Sequence, residues 1–313
     1  GAYLDFLKPD VEIIDIQTPR IRHSLKPILL EIKRRKPHIV FSGFGEINAY
    51  LSLFTRLFPN TRFIARETNV VSQHVTRKEI RFFYKFYISY DKIIAQSNDM
   101  QNDLIKNFGI KKKKLVKINN PVDVNFIEEK LNESERPAEF SHQHKNVVAI
   151  GNLSARKGFD NLLKVFSRLK NQNILLHILG DGRDKEMLIQ MKEMLGLDHV
   201  IFHGKKSNPY QYLKFADLFI LSSRYEGFPN VLLEAGVCGI YSLTNNCPGG
   251  IDEIIIDQIN GEIADIEDYD NFADRIKHAV YKNNNRENIK ESIKSRFSKE
   301  IILKKYEDLL GNL

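Results

Sequence analysis

Between Arg20 and Arg35 the residues Ile21, Leu25, Ile28, Leu29 and Ile32 recur at steps of three and four, the period of a helix with one buried face. Helical patterns are also expected over Glu46–Leu57 and Arg77–Tyr90. Short β-branched and aromatic runs at Val11–Ile16, His38–Phe44, Arg62–Arg66 and Lys92–Ala95 read as strands. Strands alternating with helices imply a parallel sheet with helical crossovers. The second half repeats the scheme more clearly, with strands expected at Asn146–Ile150, Ile174–Leu179, Val200–Phe202, Leu218–Leu221, Tyr241–Thr244 and Gly261–Ala264. Residues 125–145 are polar and acidic, without a sustained apolar period, and are expected to form a linker. The expected fold class is therefore α/β, with two Rossmann-like parallel-sheet domains over 1–124 and 146–295.

Length and composition agree with this picture. A chain of 313 residues exceeds the usual size of one hydrophobic core. With 42% apolar and 28% charged residues it has the composition of a globular protein. No apolar run approaches the roughly 20 residues of a membrane span. Cys238 and Cys247 have neither metal-ligand spacing nor a disulfide framework, which fits a reducing cytoplasm. The charge is uneven. Residues 1–124 hold 22 lysines and arginines against 12 acids, a net +10, and residues 125–313 hold 25 against 28, a net −3. A basic first half suggests a partner that is anionic, either a membrane surface or a phosphorylated acceptor; a generic solubility charge explains it equally well. Arg77–Tyr90, basic and carrying Phe82, Phe83, Tyr84, Phe86, Tyr87 and Tyr90, reads either as an interfacial anchor or as core aromatics. Lys111–Lys114 with Lys117 reads as a solvated turn. No nucleic-acid-binding module accompanies the charge.

Candidate chemistry lies in the loops after the second-half strands: GNLSARKG, GDGRD, HGKKSN, SSRYEGFPN and TNNCPGG. All are small, polar or charged, and all carry glycines that let backbone approach a ligand. Ligands of open parallel sheets bind outside the carboxyl ends of the strands, so these loops converge on one site for something polar and anionic. Arg156 and Lys157, at a helix start, suit a diphosphate; taken alone they also read as solvent-facing cations of a helix-start loop. The same loop lacks the G-x-G-x-x-G of dinucleotide binding. Glu226 and Glu234 flank seven residues, with Pro229 fitting the first turn of a helix. As an acid complementing a helix dipole, Glu234 is adequately explained; Glu226 is not.

Glu226 and Glu234 with GFPN between them resemble the E-x7-E motif of retaining GT-B glycosyltransferases of family 4. The resemblance extends over NNPVD (119–123), GNLSARKGFDNLL, LGDG, ADLFILSSRYEGFPNVLLEA, GGIDEI and NGEIA. Residues 296–313 are similar to the closing helix that returns to the first domain in that family. The resemblance implies two domains facing a central cleft and a nucleotide-sugar donor held mainly by the second. By this likeness Glu226 and Lys157 are the catalytic residues, Glu226 on the donor sugar and Lys157 on the diphosphate. Glu234 would take the ribose hydroxyls. Gly151, Asn152 and Arg156, then Gly180, Asp181 and Gly182, would complete the donor site. Backbone N–H groups of Gly227, Phe228, Pro229 and Asn230 would hold sugar and phosphate, while the loop around Phe202–Lys206, with Phe202 and Lys205, would frame the base.

Departures from the family pattern are visible. Asn152 stands where an arginine is common, with Arg156 as its substitute. Glu67 stands where a first-domain histidine is common, with Asn69 beside it and His74 further on; Glu67 and Asn69 are the acceptor-side expectation. The resemblance leads to the expectation that the chain begins about one strand–helix–strand unit, roughly 30 residues, into the first domain. The expectation is a UDP-sugar donor, transfer of a hexosyl or N-acetylhexosaminyl unit to a hydroxyl of a lipid-linked or polysaccharide acceptor, no cofactor and no metal. Placement is expected in the cytoplasm, peripheral to the inner face of an anionic membrane. A sugar-nucleotide 2-epimerase, a non-catalytic sugar-nucleotide-binding module and a phosphosugar-binding regulator remain as alternatives.

Overall fold

Two parallel sheets organise the computed structural model, which describes residues 8–140, 142–170 and 172–313. The first contains β1 (Ile39–Ser42), β2 (Arg62–Arg66), β3 (Lys92–Ala95) and β4 (Leu115–Lys117), side by side in that order. In the second are β5 (Lys145–Ile150), β6 (Ile174–Leu179), β7 (Val200–Gly204), β8 (Leu218–Leu221), β9 (Ser242–Asn245) and β10 (Gly261–Ala264), in the order β10-β9-β8-β5-β6-β7. Alternation along β5 sends Val147 and Ala149 into one core and Val148 into the core on the opposite face. Helices cover both faces, as the crossovers of a parallel sheet require.

Several expected elements differ. Val11–Ile16 forms no strand, and Val11, Ile13 and Ile14 are about half exposed. An alternating run becomes a strand only where a neighbour supplies a ladder, and among the described residues β1 is paired on one side alone, by β2. The unexpected strand is β4, too short and too basic to signal itself. Glu46–Leu57 is an α-helix over Gly45–Leu51 followed by a 3-10 turn at Thr55–Leu57. Arg77–Tyr90 is an α-helix over Lys78–Phe83 that tightens to 3-10 over Tyr84–Ser89. At three residues per turn Tyr84, Tyr87 and Tyr90 fall on one side, and all three are buried, whereas Phe82, Phe86 and Ile88 face outward. The expected linker opens with a helix, Val124–Asn132, capped by the Asp123 side chain. Its buried stripe of Val124, Ile127 and Leu131 is too narrow to stand out in the sequence.

The chain passes between the lobes twice. The outgoing pass at Val122 and the returning pass at Ser298 pair as a parallel bridge, with Val122 N–H donating to Phe297 O at 2.9 Å and Lys299 N–H to Val122 O at 3.0 Å. The last helix, Lys299–Gly311, buries Ile302 against Ile64, Ile94 and Ile118 of the first lobe, with Tyr306 and Leu309 alongside.

Candidate functional site

β5 and β8 are neighbours in the sheet but not in sequence. From β5 the chain builds outward through β6 and β7, then returns to build β8, β9 and β10 on the other side. Crossovers diverge at such a reversal and leave a crevice beyond the strand ends. The loops after β5 and β8 meet there. Lys157 Nζ lies 2.6 Å from Glu226 Oε1 and Arg156 Nη1 2.7 Å from Oε2, and the Ser223 hydroxyl donates to Oε1 at 2.6 Å. Glu226 is 4% exposed, so one buried carboxylate holds two cations and a hydroxyl. Gly151 lets the Lys157 stem pass over the end of β5: a Cβ there would lie 3.3 Å from Lys157 Cδ. Gly158, at φ +65°, abuts the carbonyl of Ser222, whose hydroxyl donates to Lys157 O at 2.7 Å. These contacts fix both loops to each other.

Glu234 sits in the helix Asn230–Val237, half-buried, and its carboxylate makes no hydrogen bond among the described residues. Burial pushes its pKa up, opposed by the charge of Lys157. It is therefore a carboxylate with acceptor capacity to spare. Pro229 is the residue before this helix, not its first turn, and carries no N–H, so the donors expected from 227–230 come from Gly227, Phe228 and Asn230 only. The Phe228 ring is buried against Phe297, 5.5 Å between centroids.

Beyond Gly151 the crevice widens into a cavity of about 510 Å³. Gly151, Asn152, Gly180, Asp181, Gly182 and Lys205 line it, joined by Lys206 of the loop expected to frame the base and by Pro209, which the sequence reading did not single out. Phe202 is elsewhere: its ring packs on the second-lobe core. From Lys206, 3.9 Å from the exposed Glu139, a chain leads inward: His203 Nδ1 lies 3.7 Å from Glu139, His177 Nδ1 meets His203 Nε2 at 2.9 Å, and buried His177 Nε2 meets Asn146 Oδ1 at 3.1 Å. Burial, then the charge of His203, pushes His177 down to about 3, with Glu139 acting against them.

The first lobe faces this loop system. Glu67 and Asn69 both line a cavity of about 330 Å³ with His74 and Arg77. Glu67 is buried and accepts from Tyr87 Oη at 2.6 Å, Asn48 Nδ2 at 3.2 Å and Tyr84 Oη at 3.3 Å. Burial raises its pKa, while these three donors work in the opposite direction. Next to it, Thr68 backbone abuts Gly227, which has no room for a side chain. Other contacts bind the lobes. Asp99 accepts from Gly249 N–H at 2.8 Å, and Glu253 accepts from Asn98 N–H and from Lys117, both at 2.6 Å. Asn120 joins Asn230 at 2.7 Å while accepting from Arg66 at 2.7 Å. Asp99, Lys117 and Asn120 went unread as contact residues because their partners lie more than a hundred residues away, where no local pattern can announce them.

Fold and site together define a two-lobed α/β protein whose second-lobe loops bring cations, backbone amides and carboxylates together at the strand-order reversal. The family model described as glycosyl transferases group 1 matches residues 132–296, more than half of the chain, and the chain belongs to that family. It is 28% identical over 255 residues to N-acetylgalactosamine-N,N'-diacetylbacillosaminyl-diphospho-undecaprenol 4-alpha-N-acetylgalactosaminyltransferase of Campylobacter jejuni, covering 79% of this chain and 68% of that protein. An uncharacterized glycosyltransferase of Methanocaldococcus jannaschii is 30% identical over 263 residues, 77% of this chain and 63% of that one. Against other curated relatives the chain spans about half their length. Among solved structures, Anabaena HepE in complex with UDP and glucose superimposes with a TM-score of 0.82 at 17% identity, covering 95% of this chain and 84% of that one, a likeness of fold.

Proposed function

We propose that this chain is a retaining glycosyltransferase of the E-x7-E type, moving a hexosyl or N-acetylhexosaminyl unit from a UDP-sugar to a hydroxyl of a lipid-linked or polysaccharide acceptor. The observation that carries the proposal is the meeting of Arg156, Lys157 and Glu226 at the strand-order reversal, with Glu234 half-buried in the adjoining helix. UDP as donor nucleotide and a lipid-linked acceptor are supported by the HepE complex and by the name of the Campylobacter relative.

In this reading the diphosphate lies against Arg156 and Lys157, the ribose hydroxyls donate to Glu234, and the base enters the cavity beside Lys205 and Lys206. The bond from the sugar's anomeric carbon to the diphosphate breaks, and UDP leaves with the electron pair. The acceptor oxygen bonds to that carbon on the face UDP vacates, and its proton passes to the departing phosphate oxygen. Arg156 and Lys157 stabilise the charge growing on UDP, in a site where fixed donors need no reorganisation. Glu226 accepts from sugar hydroxyls and offsets positive charge on the ring. Cations and helix amides provide the electrostatics, and the reading requires no metal. Glu67 and Asn69 bound the acceptor side, and membrane contact is peripheral, through the basic first lobe. Calorimetric titration with UDP, GDP and ADP tests the donor assignment. Selective UDP binding, weakened in Lys157→Ala, is expected. Preference for GDP or ADP, or heat from none of the three, would sink it.

A further inference from the structure

The wall of the Glu67 cavity has an outer side. Ile80 and Tyr84 turn inward to line that cavity, while Phe82, Phe86 and Ile88 from the same segment point out, exposed by 51%, 38% and 50%. Leu53 and Leu57, in the neighbouring segment, are exposed apolar residues as well. The Ser89 hydroxyl donates to Ser52 O at 2.7 Å, fastening the two segments together, and Leu57 is 69% exposed.

Cations border the same face. Lys85 Nζ lies 5.2 Å from the centre of the Phe82 ring. The Lys111–Lys114 turn docks beside it, because Lys114 donates to Tyr90 O and Lys92 to Lys113 O. Burial holds the Lys114 ammonium below its usual range; Asp91 opposes this, and the charges of Lys113, Lys92 and Arg56 add to it, which places Arg56 in the same cluster. Lys117 is not part of it, being committed to Glu253 at 2.6 Å. Thus the lysine turn is fastened to the end of the aromatic segment, and we infer one face from the two, its exposed apolar residues accompanied by Lys85, Lys92 and Lys113.

We propose that this face docks on an anionic lipid surface, with Leu57, Phe82, Phe86 and Ile88 entering the headgroup boundary and the bordering cations meeting lipid phosphates. The inference deepens the functional reading and rests on it for the acceptor: the same segment that touches lipid walls the Glu67 cavity, so a lipid-anchored acceptor would be presented there. The charge rim favours this occupant over a second copy of the chain, because two such rims would face each other. Amphipathic aromatics with flanking cations have the composition of interfacial contacts, and each basic residue near an anionic surface adds a share of affinity.

Flotation with phosphatidylcholine vesicles, with and without about one third phosphatidylglycerol, tests the face directly. Binding to the anionic vesicles is expected, falling about tenfold or more in Lys85→Glu/Lys113→Glu and reduced by raised salt. Leu57→Ser and Phe82→Ser/Phe86→Ser should also weaken it; Leu57, the most exposed of the set, guards against a variant that merely unfolds, with thermal unfolding followed in parallel. Absence of vesicle binding, binding that none of these variants alters, or a dimer in solution that Leu57→Ser dissociates would each overturn the proposal. The UDP titration is independent: a chain that binds UDP but no vesicle refutes this face alone, and one that binds vesicles but no nucleotide refutes the donor reading alone.

Discussion

Replacing Glu226 by alanine removes a buried carboxylate that compensates two cations at once. Lys157 is 12% exposed at its side chain and Arg156 29%, so Arg156 can turn to water more readily than Lys157 can. Breaking a buried pair by deleting one partner costs about 3–5 kcal/mol, because an uncompensated charge stays behind. With Arg156 partly relieved by solvent, a value near the lower end, about 3 kcal/mol, is expected. For a folding unit the size of the second lobe this corresponds to a drop of about 6–12 °C in melting temperature. Differential scanning fluorimetry of Glu226→Ala, Lys157→Met and the double variant provides the assay. The double variant should recover much of the loss, since the stranded ammonium is gone with its partner. UDP should also protect Glu226→Ala at least as well as the unmodified chain, its phosphates supplying the missing negative charge, while sugar transfer disappears. A Glu226→Ala melting within about 1 °C of the parent, or a double variant as unstable as the sum of both singles, would refute the reasoning.

Glu234→Ala should weaken UDP binding by about 10- to 100-fold, the range for charge-assisted hydrogen bonds, and calorimetry showing unchanged affinity would remove Glu234 from the ribose. Gly158→Ala should destabilise the second lobe and impair donor binding together, because at φ +65° the new methyl meets Ser222 carbonyl; a parental melting curve would count against the two-loop weld. His177, held near 3 by burial, cannot take up the proton that the unfolded chain accepts near pH 6.5. Its contribution is thus complete above pH 6.5 and is lost as pH falls toward 3, with a slope approaching about 1.4 kcal/mol per pH unit in urea titrations. His177→Gln should flatten that slope, and an unaltered slope would assign it to other groups. Asp99→Ala combined with Glu253→Ala should loosen the contact between lobes and raise the radius of gyration in small-angle scattering, an effect that a clasp without energetic weight would not produce.

Much of the second lobe was legible because β5, β6, β7 and β8 are mainly apolar runs that end in a glycine or a polar loop, a signal complete within about ten positions. The site's loops were legible for the same reason, and Arg156, Lys157, Glu226 and Glu234 could be picked out one at a time. What local pattern could not contain is the direction of Phe202, whose ring serves the core although its neighbours serve the crevice. Nor could it separate Tyr84, Tyr87 and Tyr90 from Phe82 and Phe86; that depends on a change from 3.6 to 3 residues per turn in mid-segment. The cage of Asn48, Tyr84 and Tyr87 around Glu67 joins three separate segments, so its members look like ordinary core positions until they are folded together.

The bridge between Val122 and Ser298 has a mechanical consequence. Because both passages of the chain are stapled side by side, the two lobes behave like the covers of a book bound along one spine. Translation of one lobe past the other would have to break the staple, whereas swinging about it would not. The remaining ties across the cleft, such as Asp99 to Gly249 and Lys117 to Glu253, are single hydrogen bonds and ion pairs that can open one by one. The fore-edge opposite the spine is crossed by no covalent chain among the described residues.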